Sequence, residues 1–212
     1  VQINYEPVNI LYEDAFLIAA FKPPFLLVHN DGNSQDTLQA RINGYLQLNG
    51  NKYPAQAIHR IDYETSGLVL FCKHPFFQAY CDKNMEEHHI KKDYIALVQG
   101  HTNYKNKKIV SNIARDRHNA KKMIIHPNGK ESISIFNTLK NYKDYSLIQV
   151  TILTGRKHQI RVQCASLKHP ILNDSLYGGK RIDNTGLLLQ SYHIQFNDID
   201  VICPQEKRFI RK

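Results

Sequence analysis

The chain has 212 residues, with 28 lysines and arginines against 19 aspartates and glutamates, a formal net charge of +9. That length suits one domain or a pair of tightly packed subdomains, and a single domain over 1–212 is the expectation. The charge favours a polyanionic partner, for which RNA, DNA and an anionic membrane all qualify. No apolar stretch is long enough to span a bilayer and no signal-like pattern opens the chain, which predicts a soluble, cytoplasmic protein. Cys72, Cys81, Cys164 and Cys203 are too far apart for a Cys-x-x-Cys pair and read as reduced thiols, mostly in the core.

Residues 10–14 and 16–21 read as two short strands about an acidic turn. Lys22-Pro23-Pro24 stops the second, because proline donates no ladder bond, and a stiff extended connection into Phe25 to His29 is expected. Asp36 is a good cap for an amphipathic helix that sets Leu38, Ile42 and Tyr45 on one face. Residues 59–73 then read His-Arg-Ile-Asp-Tyr-Glu-Thr-Ser-Gly-Leu-Val-Leu-Phe-Cys-Lys, a charged loop feeding an apolar run of strand length. Such a run, 68–72, suits a strand buried on both faces. Asp62 follows Arg60 by two residues, and a carboxylate anchored to a rigid strand is well placed to act on a ligand. Taken alone, the loop fits better a plainer reading, in which Asp62 opens an Asx-type turn and Arg60 is a surface cation.

Residues 75–85 predict a helix with proline in its first turn, followed by a charged connection to Lys92. His88 and His89, near Cys81, invite a metal. Neighbours on a helix point about 100° apart and no HExxH-like spacing occurs, so solvent-facing or RNA-facing histidines are preferred. Residues 92–100 are strand-like, and by itself Tyr94 reads as a cross-strand core aromatic. From His101 to Lys130 cations alternate with short apolar runs at 109–110 and 123–125. This fits strands joined by basic loops along a phosphate-binding face, or equally a solvated charged surface. Residues 132–139 and 145–153 should pair antiparallel around 141–144. Gly155 allows a sharp turn into a helix with Ile160, Cys164 and Leu167 inward and Arg161 at the edge of that stripe. Residues 187–196 and 199–203 close the chain as strands, with no internal repeat or low-complexity tract.

Three blocks, His59 to Lys73, Lys92 to Gly100 and Thr154 to Val162 with its continuation His169 to Gly178, resemble in order the motifs of the RluA family of RNA pseudouridine synthases. The resemblance implies an α+β pseudouridine synthase catalytic fold, a mixed, mostly antiparallel central sheet flanked by helices with a central active-site cleft. It shows no recognisable S4-like N-terminal RNA-binding domain. The implied reaction is isomerisation of specific uridines in structured RNA, ribosomal or transfer, by a monomer with no membrane, metal or organic cofactor. Asp62 is then the catalytic carboxylate, Tyr94 stacks on the flipped base, and Arg161 pairs with the aspartate to keep it ionised. Arg60 is the wedge that fills the vacated stack, and His59, Thr65, Ser66, Arg156, His158, Gln159 and Ile160 are the other substrate contacts. Departures are few. Phe25 stands where a glycine is usual, so the turn there should be made without a positive φ. Lys157 replaces a small hydroxyl residue, Asn173 replaces a glycine whose left-handed conformation asparagine tolerates, and Gln190-Ser191 replaces His-Ala with no chemistry lost. A carboxylate-dependent N-glycosylase, with Glu64 as the nearby second carboxylate, and a non-catalytic RNA-binding domain remain as alternatives.

Overall fold

The protein, described over residues 1–32 and 34–210 in a computed structural model, divides into two units. The first is Val1–Ile90 with Ser191–Cys203; the second is Lys91–Gln190 with the described residues from Pro204. Strands β1 (Asn9–Glu13), β2 (Leu17–Lys22), β3 (Gln56–Ala57) and β4 (Ser66–Cys72) and helices α1 (Leu38–Leu48) and α2 (Pro75–Glu86) belong to the first. Strands β5 (Lys91–Gln99), β6 (Lys107–Arg115), β7 (Met123–Ile125), β8 (Lys130–Asn141) and β9 (Tyr145–Ile152) and helix α3 (Gln159–Ser166) belong to the second. Strand β10 (Leu189–Phe196) starts in the second and continues from Ser191 in the first, followed by β11 (Ile199–Ile202). The fold is α+β, with mixed, mostly antiparallel strands.

In the first unit the strands run β1-β2-β4-β10, with β3 on β4 and β11 on β10. Successive side chains of a strand point to opposite faces, and here both faces are covered. Leu17, Ala19, Leu68, Leu70 and Cys72 meet Cys81 of α2, Ile194 and Phe196 on one side. Ile18, Ala20, Val69 and Phe71 meet Leu38, Ile42 and Leu46 of α1 on the other. All seven residues of β4 are buried, as its continuous apolar run requires. Gly67 permits this: its φ is +113°, and a Cβ would lie 2.0 Å from the Ser191 carbonyl oxygen. No other residue type fits that approach.

Two local expectations for this unit are corrected. The cap of α1 is Thr37, whose Oγ1 accepts from the Ala40 amide at 3.1 Å. Asp36 lies one residue too early and instead binds Arg41 through Nε and Nη2, at 2.8 and 2.7 Å. The Pro23-Pro24 segment is not extended either: it turns at Pro24 and Phe25, and Phe25 takes the left-handed conformation, φ 63°, that was expected to be avoided. Its amide donates to the Tyr63 carbonyl at 2.8 Å and its ring meets that of Tyr63 edge-on, contacts that offset a conformation costing about 1–2 kcal/mol.

The second unit is an antiparallel array in the order β5-β9-β8-β6-β7, with an irregularity between Thr138 and Lys140. Helix α3 packs on β6 and β7, where Val162 and Ala165 meet Ile113, Met123 and Tyr177. It is buried around most of its circumference rather than along one stripe, Gln159, Arg161 and Gln163 included. Gln190 ties the start of β10 to the segment 204–206: its side-chain amide donates to the Pro204 carbonyl and accepts from the Glu206 amide. The four cysteines are buried thiols. No helix among the described residues is long and apolar enough to cross a membrane.

Candidate active site

The Asp62 loop of the first unit is fastened at several points to the rigid strand it precedes. The Ile58 amide donates to the Leu70 carbonyl, and the imidazole Nε2 of His59 accepts from the Leu70 amide at 3.1 Å, so the buried His59 clamps the loop to β4. The Thr65 amide donates to the Asp62 carbonyl at 3.1 Å, closing a turn. Asp62 thus opens that turn with its backbone oxygen. Lys22 adds the decisive strap. Its side chain is fully buried, and Nζ donates to the carbonyls of Pro23 and Leu26 at 2.8 Å and of Tyr63, directly after Asp62, at 3.1 Å. Ile61 packs against the α1-side core, and Asp62 is half-buried. Arg60 swings outward, its Nη1 3.1 Å from Nε2 of His29. Burial, with the Arg60 charge second, holds the His29 imidazole below its usual range, so its lone pair is available to the guanidinium.

In the second unit Tyr94 lies on β5, opposite Val150 of β9, with 6% of its surface exposed. Asp93 beside it is buried and receives Thr151 Oγ1 and Lys91 Nζ. Lys92 shares the face of Tyr94 and is also buried, which pushes its ammonium down to about 8. The segment leading into α3 is organised by Gln159. Its Oε1 accepts from Thr154 Oγ1 and the Arg156 amide, at 2.8 and 3.0 Å, while Nε2 donates to Ile133 O and Ser134 Oγ. Gly155 was expected to provide the sharp turn, but the left-handed residue is His158, φ 54°, and a Cβ on Gly155 would meet nothing within 4 Å. His158 Nδ1 lies 2.8 Å from the Tyr177 hydroxyl, which also accepts from the Met123 amide at 2.8 Å. Arg161 stacks over the Tyr177 ring, its guanidinium carbon 5.1 Å from the centroid, and its Nε and Nη2 each donate to the Asp174 carboxylate at 2.8 Å.

His59, Arg60, Asp62, Thr65 and Ser66 thus share one loop, and Arg156, His158, Gln159, Ile160 and Arg161 share the entry to α3. Within these sets the structure separates side chains that hold loops from side chains that face outward. His59, Thr65, Ser66, Gln159 and Ile160 are buried, whereas Arg60 is exposed and Arg156 and His158 are half-buried. Sequence reasoning missed Lys22, Asp174 and Tyr177 as organisers. A signal for the first was present: two prolines in a turn leave carbonyls to be served, and the adjacent lysine carries three donors. Asp174 stood in the block His169 to Gly178, but nothing local tied it to Arg161.

Residues 17–166 match the profile described as RNA pseudouridylate synthase. The chain belongs to the RNA pseudouridylate synthase family. Among its relatives, the RNA pseudouridine synthase YhcT of Bacillus subtilis is 36% identical over 179 residues, 83% of this chain and 59% of that protein. The ribosomal large subunit pseudouridine synthase D of Borreliella burgdorferi is 33% identical over 215 residues, 96% of this chain and 64% of that one. The chain therefore spans about three fifths of the length of these curated relatives. The solved structure of human RNA pseudouridylate synthase domain containing 1 superposes with a TM-score of 0.79 at 23% identity, covering 95% of this chain and 85% of that one, which shows the shared fold. Asp62, Tyr94 and Arg161 fall inside the segment matched to the family, while Asp174 and Tyr177 lie beyond it.

Proposed function

We propose that this member of the family isomerises uridine to pseudouridine within structured RNA, and that ribosomal RNA, with transfer RNA second, supplies the target. The observation that carries the reading is the Asp62 loop: a carboxylate on a turn strapped by Lys22 and His59 to a strand buried on both faces, beside an outward arginine. The bond from C1′ to N1 breaks, the base turns, and C1′ is rejoined through C5; C5 loses its proton and N1 takes one up, a redox-neutral exchange. In this reading Asp62 stabilises or attacks the electrophilic centre, Tyr94 stacks on the base and its phenol can take a proton, and Arg161 supports the carboxylate. Arg60 enters the RNA in place of the extruded nucleotide, stacking while it binds phosphate. Arg156 and His158 are the remaining substrate contacts, and the basic strand β6 with the basic loop that joins it to β7 carries the RNA backbone. The two units are parts of one catalytic domain, active as a monomer in the cytoplasm. The relative named ribosomal large subunit pseudouridine synthase D favours the ribosomal substrate.

RNA labelled with tritium at C5 of uridine tests the reading. A synthase releases tritium without free uracil, an N-glycosylase releases uracil, and a binding module releases neither. Asp62→Asn should bind RNA as before and lose tritium release; unchanged release would overturn the assignment.

A further inference from the structure

We propose that His29 is a positioning residue for Arg60, fixing the pose from which the guanidinium engages RNA. This rests on the reading that Arg60 enters the RNA. Both ends of the contact stand on fixed backbone. The segment before His29 is sewn to the first turn of α1, the Leu38 amide donating to Leu27 O at 2.8 Å and the Gln39 amide to Val28 O at 2.9 Å, and Val28 is buried. Arg60 stands between His59, which is clamped to β4, and Ile61, which packs against the core. A guanidinium has donors only, so the 3.1 Å contact requires Nε2 of His29 to be the acceptor, with the imidazole neutral and its proton on Nδ1.

The magnitudes say what this contact is for. Arg60 is exposed and His29 half-buried, and a hydrogen bond in that setting adds little to fold stability. A free arginine side chain, however, samples many rotamers and must give most of them up on entering an RNA stack, an entropic cost of binding. Holding the side chain beforehand moves part of that cost out of the binding step.

The test is a double-mutant cycle read by tritium release, using C5-labelled bulk RNA from cells that lack the gene, with thermal unfolding measured in parallel. His29→Ala should raise the apparent KM about three- to tenfold with kcat within about twofold, and leave the unfolding temperature nearly unchanged. His29→Gln, which places an amide oxygen close to the position of Nε2, should recover most of the loss. In an Arg60→Ala background His29→Ala should have no further effect. An equal KM penalty with and without Arg60 overturns the pairing and leaves the function standing. An unchanged KM in Arg60→Ala removes both the wedge and its holder, and undiminished release in Asp62→Asn removes the function itself. Should His29→Ala fail to fold, His29→Gln decides alone: a KM as high as that of Arg60→Ala refutes the proposal.

Discussion

Replacing Lys22 by methionine keeps the aliphatic stem in its buried channel and deletes only the ammonium. The carbonyls of Pro23, Leu26 and Tyr63 lose that donor, and the strap between the proline turn and the Asp62 turn is cut. Charge-assisted hydrogen bonds contribute about 1.5–3 kcal/mol each, whereas removing the buried charge returns a desolvation cost of several kcal/mol. The Tyr63 carbonyl keeps the Phe25 amide, so the net loss should be ~2–4 kcal/mol. For a chain of this size that lowers the unfolding temperature by about 5–15 °C. Thermal and urea unfolding measure the loss, with Lys52→Met, at an exposed lysine, as a control expected within about 0.5 kcal/mol of the parent. Below the transition, tritium release should still fall at least tenfold, since a displacement of about 1 Å in a reacting group can cost on the order of 100-fold. A Lys22→Met protein within about 1 kcal/mol of the parent and releasing tritium at the parental rate would refute the strap.

At Phe25, glycine relieves a left-handed side chain but loses the ring contact with Tyr63, so Phe25→Gly should lie within ~1 kcal/mol of the parent. Phe25→Val, β-branched in the same conformation, should lose ~2 kcal/mol or more, and equal urea midpoints for the two variants would show that φ is not positive there. Asp174→Asn takes the charge from a buried, doubly bonded pair and should destabilise the protein by ~3–5 kcal/mol in urea unfolding; a loss under ~1 kcal/mol would show that the guanidinium is held by other groups. Lys92 gives a pH signature. Burial depresses its ammonium from 10.5 to about 8, so between these values the unfolded chain holds a proton that the folded chain has released. Its contribution to stability therefore rises with pH across that window, and the cost of burying the charge is felt in full below it. The stability of Lys92→Met minus that of the parent should fall by ~2–3 kcal/mol from pH 7 to pH 10, and a pH-independent difference would refute the assignment.

Where the signal lies within a few residues, the sequence was sufficient. The doubly buried β4 follows from five apolar residues in a row behind a glycine, α2 from its opening proline, and the β8-β9 hairpin from alternation on either side of a polar turn. Asn173 stands at φ 69° as expected, and its side chain adds bonds to Asp183, Ile182 and Gly186. The motif blocks, whose order is a property of the chain, pointed to the family. Other features were decided by residues far off in the chain. Phe25 accepts a left-handed backbone because Tyr63, 38 positions later, supplies its carbonyl and its ring. Lys22 can be buried because that same carbonyl, with those of the proline turn, surrounds its ammonium. Arg161 is held by Asp174, which sits outside α3 and out of register with it. Periodicity and turn chemistry are local energies, legible from neighbours in the chain. A buried charge or a strained torsion is stable only once a distant partner has been brought to it, and the partner's identity is written in the packing.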